Sequence, residues 1–468
     1  MGLGAAFEIG TSGLRIYQVA TEVVSENIAN VNTAGYSRQK VNLETSPPST
    51  HNGFPLGTGV RIASVERVYD SLLQKQRVDA GTTTGYDAKR SEVLQQIEPV
   101  FNEIAQDGLG ASIKDFFNSW QSLSNNPSGR VERQTVLTTA QVMIDQFRYV
   151  NNSLTNTIAM QDAAIPVNVD KVNQLVRNIA TMNAQIRTTE IVSGNANEMR
   201  DQRDDLIRQL GEKIGISFTE NSDGTTDVST SYSGLQIKLV SGIDAAVFST
   251  KFNPVTERTD IYYVPAGSSA PRQQIVPAGG TIGSIITLRD TTIPGYLQQV
   301  DQLAYTLADK VNTQHQQGYD LLDSAGGRFF SVDSTTPPDN SAASITLLVS
   351  NPDKVAAANG PGVPGNNANA LAIARLADAN TMSSTTTFAE YYETLVAQIG
   401  LDVQTAASVY DQDKAFMKQL NALRDSKSGV SLDEELTQLM KYQRSYQASA
   451  KLVSTAGEMM DVAIAMMR

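Results

Sequence analysis

Few side chains in this 468-residue chain could do acid–base, nucleophilic or metal chemistry, and their spacing suits none of the three. Cysteine is absent, which removes disulfides and thiolate metal sites. Two histidines, His51 and His315, leave little for a His-based triad or a zinc site. His51 falls in a Pro/Gly loop; His315, in "NTQHQQGYD", falls near a helix end before Gly318, where a structural role is expected. The run "RDQRDDL" offers Asp201, Asp204 and Asp205, but Arg200 and Arg203 are interleaved with them on an expected helix. That pattern reads as a solvated or helix-bridging charge cluster rather than a cation cage. The sequence contains no phosphate loop and no GxSxG elbow. No catalytic, cofactor or metal site is therefore assigned.

A formal net charge of -12 and a sequence pI near 4.8 argue against nucleic acid or an anionic membrane as partner. No apolar run reaches membrane-spanning length, and "MGLGAAFEIGTSGLRIYQ" lacks the basic start and cleavage site of a secretory signal. On these grounds alone the expected compartment is the cytoplasm. The length predicts two or three domains.

Residues with so little chemistry must be arranged by long elements. Steps of four and three from Leu3 meet Leu14, Tyr17, Val24 and Ile28; from Leu432 they meet Leu436, Leu439, Tyr446, Val453, Met460, Ile464 and Met467. Both ends are read as long seamed helices, with Gly10 and Gly457 as points of close approach. They either close one domain as an antiparallel pair or await neighbours, since an isolated helix with one such stripe is marginal. The first helix runs into "NIANVNTAGYSRQ", where Asn30, Asn32, Thr33 and Gly35 predict a shaped turn before Tyr36 and Arg38.

Beyond the turn, "KVNLET" alternates like a strand, and "VRIASVERVYDSLLQKQ" changes from strand to helix period. Residues 66–214 and 293–427 carry helical stripes, among them Ile113, Phe116, Trp120 and Leu123. Between 215 and 292, the runs "GISFTE", "LQIKLV", "DIYYVP" and "SIITLR" are read as strands. The expected fold is mainly α with an inserted β subdomain: terminal coiled-coil helices, 1–65 plus 428–468; a long-helix bundle, 66–214 plus 293–427; the β insertion, 215–292; and a loop-rich stretch, 320–368.

"IANVNTAGYSRQ" is similar to the signature shared by flagellar rod, hook and hook-associated proteins, and "GVSLDEELTQLMKYQRSYQASAKLVSTAGEMMD" resembles their matching end. Within that group, the segments "GTGVRIASVERVYDSLLQKQ", "LRDQRDDLIRQL" and "NTQHQQGYD" resemble the hook-associated protein 1 family, which joins hook to filament. Many members carry an outer β domain after "GRFFSVD", where this chain has only a short polar stretch. The resemblance implies a structural protein, not an enzyme, with its terminal helices paired as the axial core. Implied partners are copies of itself in a ring, the hook protein, the next hook-associated junction protein, a cytoplasmic export chaperone and the flagellar export apparatus. The resemblance also reverses the compartment: a transient cytoplasmic stage, then type III export to the extracellular flagellum. Tyr36 and Arg38 would serve either a neighbour contact or an intrachain one, and the C-terminal seam would meet the chaperone before the axial core.

Overall fold

The computed structural model describes residues 3–51, 54–102, 108–232, 234–268, 272–332, 338–382 and 385–466. Helix α1 (Leu3–Ala29) ends in the turn, and strands β1 (Gln39–Thr45), β2 (Ser49–His51), β3 (Phe54–Leu56) and β4 (Val60–Arg67) follow. Strands β1 and β4 pair antiparallel, with an irregularity between Asn42 and Leu43. Asp70 then caps α2 (Ser71–Phe101), its carboxylate accepting from the backbone N–H of Leu72 and Leu73.

Helices α3 (Leu109–Asn125), α4 (Arg130–Ser193) and α5 (Asn197–Lys213) follow. The 64 residues of α4 would span about 96 Å if straight. Pro166 lies inside α4, and the burial of Ile165 and Val169 beside it offsets the lost backbone bond.

The insertion contains β5 (Ser217–Glu220), β6 (Thr226–Tyr232), β7 (Leu235–Ser241) and β8 (Asp244–Ala245) in one sheet. Strands β9 (Val247–Asn253), β10 (Arg258–Val264) and β11 (Gln273–Ile275) form a second. Both are antiparallel meanders in chain order. The strand expected at "SIITLR" is instead helical: α6 (Gly280–Thr287) runs through a π turn (Leu288–Thr292) into α7 (Ile293–His315). Ile282, Ile285 and Leu288 recur at helical spacing and are all buried, and that burial overrides the β preference of the two isoleucines.

The loop-rich stretch holds β12 (Phe330–Ser331), α8 (Ser341–Ser344) and β13 (Thr346–Leu347), and α9 (Ala368–Ala374) follows it. Long helices α10 (Phe388–Ser428) and α11 (Leu432–Met466) complete the chain.

Two apolar cores share α4. Its first half packs against α3 and α7, which also meet α10, around Phe116, Trp120, Phe147, Leu307 and Leu395. Its second half packs with α5, α6 and the β subdomain around Val176, Ile207, Leu239 and Ile261. His315 lies in the first core; its Nδ1 meets the Gly327 carbonyl at 2.7 Å while Nε2 accepts from the Ala356 N–H at 3.0 Å. Burial pushes its pKa down to about 4, so this neutral ring serves to fasten two loops to the helix end.

Candidate assembly joint

α1 and α11 run antiparallel: Gly10 faces Val453, Gly13 faces Ser449, and the rings of Tyr17 and Tyr442 lie 6.3 Å apart. A Cβ on Gly10 would stand 2.6 Å from Val453 Cγ2, and one on Gly13 would stand 2.7 Å from Ser449 Oγ. These two glycines set the close approach. Gly457, expected to share that role, has open space where a Cβ would point.

The expected seam divides between two faces. Val24 is buried, and Leu14, Tyr17, Ile28, Leu439, Val453 and Met460 are half-buried. Leu432, Leu436, Tyr446 and Ile464 stand on the exposed side of α11; Met467 lies outside the described residues. The more enclosed side instead follows Glu435, Leu439, Tyr442, Ser449, Val453, Ala456 and Met460.

At the end of α1 the turn is built from its own short side chains. Thr33 Oγ1 donates to Asn30 Oδ1 at 3.0 Å, Asn30 Nδ2 donates to the Glu26 carbonyl at 3.2 Å, and the Tyr36 N–H donates to the Thr33 carbonyl at 3.2 Å. Gly35 takes φ +85° with open space around it, so backbone conformation rather than crowding calls for glycine. Asn32 is exposed.

Asn27, unremarked in the sequence, is the hub. It is 1% exposed, and its amide makes four hydrogen bonds, the full capacity of that group. Nδ2 donates to the Gln39 carbonyl at 2.9 Å and to Glu435 Oε2 at 3.0 Å. Oδ1 accepts from the Tyr36 hydroxyl and the Gln39 N–H, both at 2.9 Å. Burial first, with the nearby Glu26, Glu198 and Asp201, pushes the Tyr36 pKa up to about 12, which keeps the phenol a donor.

Beyond Tyr36 the turn is fastened to the helical domain. Ser37 donates to Asp201 through its N–H at 2.7 Å and its hydroxyl at 2.8 Å. Arg67 donates to Asp201 and Asp204, each at 2.7 Å, and its guanidinium lies 4.1 Å above the Tyr69 ring. Burial opposes the charge on Arg67, but Asp204 and Asp201 overcome it and hold its pKa above the ordinary range. The aspartates of "RDQRDDL" thus bridge modules, apart from Asp205, which accepts from Arg208 within its own helix. Arg424 of α10 donates to the carbonyls of Gly35 at 2.6 Å and Tyr36 at 2.5 Å. The Arg38 N–H donates to the Ser428 carbonyl at 2.8 Å, and its side chain pairs with Glu434. Tyr36 and Arg38 both therefore make intrachain contacts.

Glu26 and Glu198 line a cleft with Asn30, Tyr36, Asp201 and Asp205. The hydrogen bond to Glu198, burial and repulsion by Glu198 raise the Glu26 pKa to about 7. Among the described residues no group of three or more His, Cys, Asp or Glu is placed to hold a metal ion, and no helix is long and apolar enough to cross a membrane.

The family model described as "Flagellar hook-associated protein FlgK helical domain" matches residues 94–330, half of the chain. Models for the "Flagella basal body rod protein" and the "Flagellar basal body rod FlgEFG protein C-terminal" match residues 7–36 and 424–466. The chain is 27% identical to flagellar hook-associated protein 1 of Bacillus subtilis, over 98% of this chain and 97% of that one. It is 25% identical to flagellar hook-associated protein 1 of Escherichia coli K12, over 97% and 98%. Its fold resembles the flagellar hook junction protein FlgK from Burkholderia pseudomallei, with a TM-score of 0.69 and 16% identity over 76% of this chain and all of that one.

Proposed function

Because the chain belongs to the FlgK family of flagellar hook-associated proteins, structural components of the flagellum rather than enzymes, we propose that it forms the seat on which the filament assembles. It leaves the cytoplasm through the flagellar type III apparatus and joins copies of itself in a ring between the hook protein and the next hook-associated junction protein. The observation that carries this reading is the joint: Asn27 ties α1 to α11, and Ser37, Arg67 and Arg424 hold the terminal module to the helical domain in one orientation. A subunit in a tubular wall needs such a fixed angle between its inner and outer parts. The helical match over residues 94–330 favours this reading over a rod or hook subunit.

The exposed side of α11 supports two successive partners. Leu432, Leu436, Tyr446 and Ile464 offer an apolar face that a cytoplasmic export chaperone covers first and axial neighbours cover later. A chaperone that also covers Leu439, Val453 and Met460 must displace α1 from them.

Deleting the gene should leave hooks without filaments, and restoring the chain should return them. A variant carrying Ser37→Ala and Asp201→Ala should be exported yet restore few filaments. Normal filaments in the deletion strain would overturn the reading.

A further inference from the structure

The first two turns of α5 carry a second polar network beside the one that holds the terminal module. At 100° per residue, Arg200 and Arg203 point about 100° away from Asp201 and Asp204, so α5 shows its arginines to the β subdomain and its aspartates to Arg67. Arg200 donates to Glu190 of α4 from Nε at 2.6 Å and from Nη2 at 2.9 Å, and it pairs with Glu220 at the end of β5. Arg203 is buried; its Nη1 donates to the Gly224 carbonyl at 2.6 Å and to Asn183 Oδ1 at 3.1 Å, and its Nη2 donates to Glu220 at 3.2 Å.

Two further features seat the turn between β5 and β6. Asn183 of α4 is fully buried; its Oδ1 also accepts from the Thr226 N–H at 3.0 Å, and its Nδ2 donates to the carbonyls of Thr226 at 2.9 Å and Gly242 at 2.6 Å. Gly224 takes φ +81°, and a Cβ there would overlap Glu190 Oε2, so the turn at 221–225 is pressed onto the pair that Glu190 makes with Arg200.

Asp204 belongs to both networks. It accepts from Arg67 at 2.7 Å and lies within electrostatic reach of Arg203. Burial raises its pKa, and Arg67 and then Arg203 oppose that rise; burial likewise lowers the pKa of Arg203, opposed first by Asp204 and then by Glu220. Each arginine therefore helps to keep the carboxylate charged for the other, and a charged carboxylate holds a guanidinium more tightly than a protonated one.

We propose that α5 couples the two modules, so that seating the β5–β6 turn and docking the terminal module each strengthen the other. The inference concerns the folded chain alone and does not rest on the junction reading. An α5 that shifts to follow one module alters its fit to the other, because its paired charges are satisfied over a narrow range of positions. Linkage of this kind acts in both directions.

The test reads backbone amide exchange in the purified chain and perturbs each side without touching Asp201 or Asp204. Gly224→Ala should speed exchange at Asn221 and Thr226 and also, at least about fivefold, at Ser37, Arg38 and Gln39, whose N–H groups are bonded across the joint. Arg424→Gln frees the Gly35 and Tyr36 carbonyls from α10 and should speed exchange at Ser37 and, across α5, at Asn221 and Thr226. Asn173→Ala is the control: it removes the bonds of 2.8 and 2.9 Å that hold Phe248 of the other sheet to α4, and it should loosen β9 while leaving residues 37–39 unchanged. An unchanged Trp120 fluorescence transition shows that the helical core is intact; should Gly224→Ala disturb it, Glu220→Gln, at a half-exposed side chain, takes its place. Effects confined to the perturbed module in either direction, or equal loosening of residues 37–39 by Asn173→Ala, would overturn the coupling.

Discussion

Asn27→Ala removes four buried hydrogen bonds with one substitution. Three have neutral partners, the Tyr36 hydroxyl and both backbone groups of Gln39, and the fourth goes to the Glu435 carboxylate. At about 1 kcal/mol for each neutral bond and about 2 for the charged one, the loss is at most about 5 kcal/mol. The vacated space admits water, which rebinds part of the set and brings the cost to about 3 kcal/mol, or roughly 150-fold in docking of the terminal pair. The single tryptophan separates this effect from general unfolding, because Trp120 is fully buried in the helical core, away from the joint. Amides of α1 and α11 should exchange faster and the early part of the far-ultraviolet dichroism melt should move down, while the Trp120 fluorescence transition stays in place. Asn27→Asp should be worse at neutral pH, since it sets a carboxylate against Glu435, and should partly recover on acidification. If Trp120 fluorescence shifted as far as the dichroism, or if neither moved, the hub assignment would be wrong.

Glu26 has a folded pKa raised to about 7, so its contribution to docking is fully present below the unfolded value of 4.5 and fades as pH rises through 7. Solvent screening at this half-exposed site limits the effect to about 1–2 kcal/mol, and Glu26→Gln should flatten the dependence of α1 exchange on pH between 5 and 8. Gly10→Leu should prise α1 from α11 at Val453, costing about 1–3 kcal/mol, visible as lost protection in both helices with the helical domain unchanged. Limited proteolysis of the free chain should remove the terminal helices before cutting α3 or α4, because the buried apolar cluster where α1 meets β1, formed by Ala20, Val23 and Val41, is small; equal resistance throughout would contradict this.

Sequence periodicity made the long helices legible, since each buries one continuous stripe against a core. The strands of the insertion were legible wherever alternation was strict, and "SIITLR" misled because isoleucine and threonine at helical spacing also fit a strand. The seam on α11 was harder. That helix is apolar on two sides, so steps of four and three from Leu432 drift between the face toward α1 and the exposed one. The turn residues showed through their backbone chemistry, and the charges of "RDQRDDL" through their alternation. Asn27 and Glu435 did not, because a polar residue on an amphipathic helix looks like solvent-facing surface, and the two lie 408 positions apart.

The joint is polar although the cores on either side of it are not, and this difference has a mechanical consequence. Apolar packing is non-directional and tolerates small rotations, whereas Arg67 between Asp201 and Asp204 is satisfied over a narrow range of angles. A buried ion pair of this kind adds little net stability over an apolar contact, so orientation is its main contribution. The chain crosses between the modules at Arg67–Ser71 and again at Ser428–Leu432. A single crossing would act as a swivel. Here the backbone of Arg38 lies between the two, donating to Ser428 at 2.8 Å and accepting from the Val68 N–H at 2.8 Å, while Lys427 meets Asp70 at 2.7 Å. Three adjacent segments bonded in this way resist rotation about any one of them, so force applied to the helical domain is delivered to the terminal pair as a fixed couple.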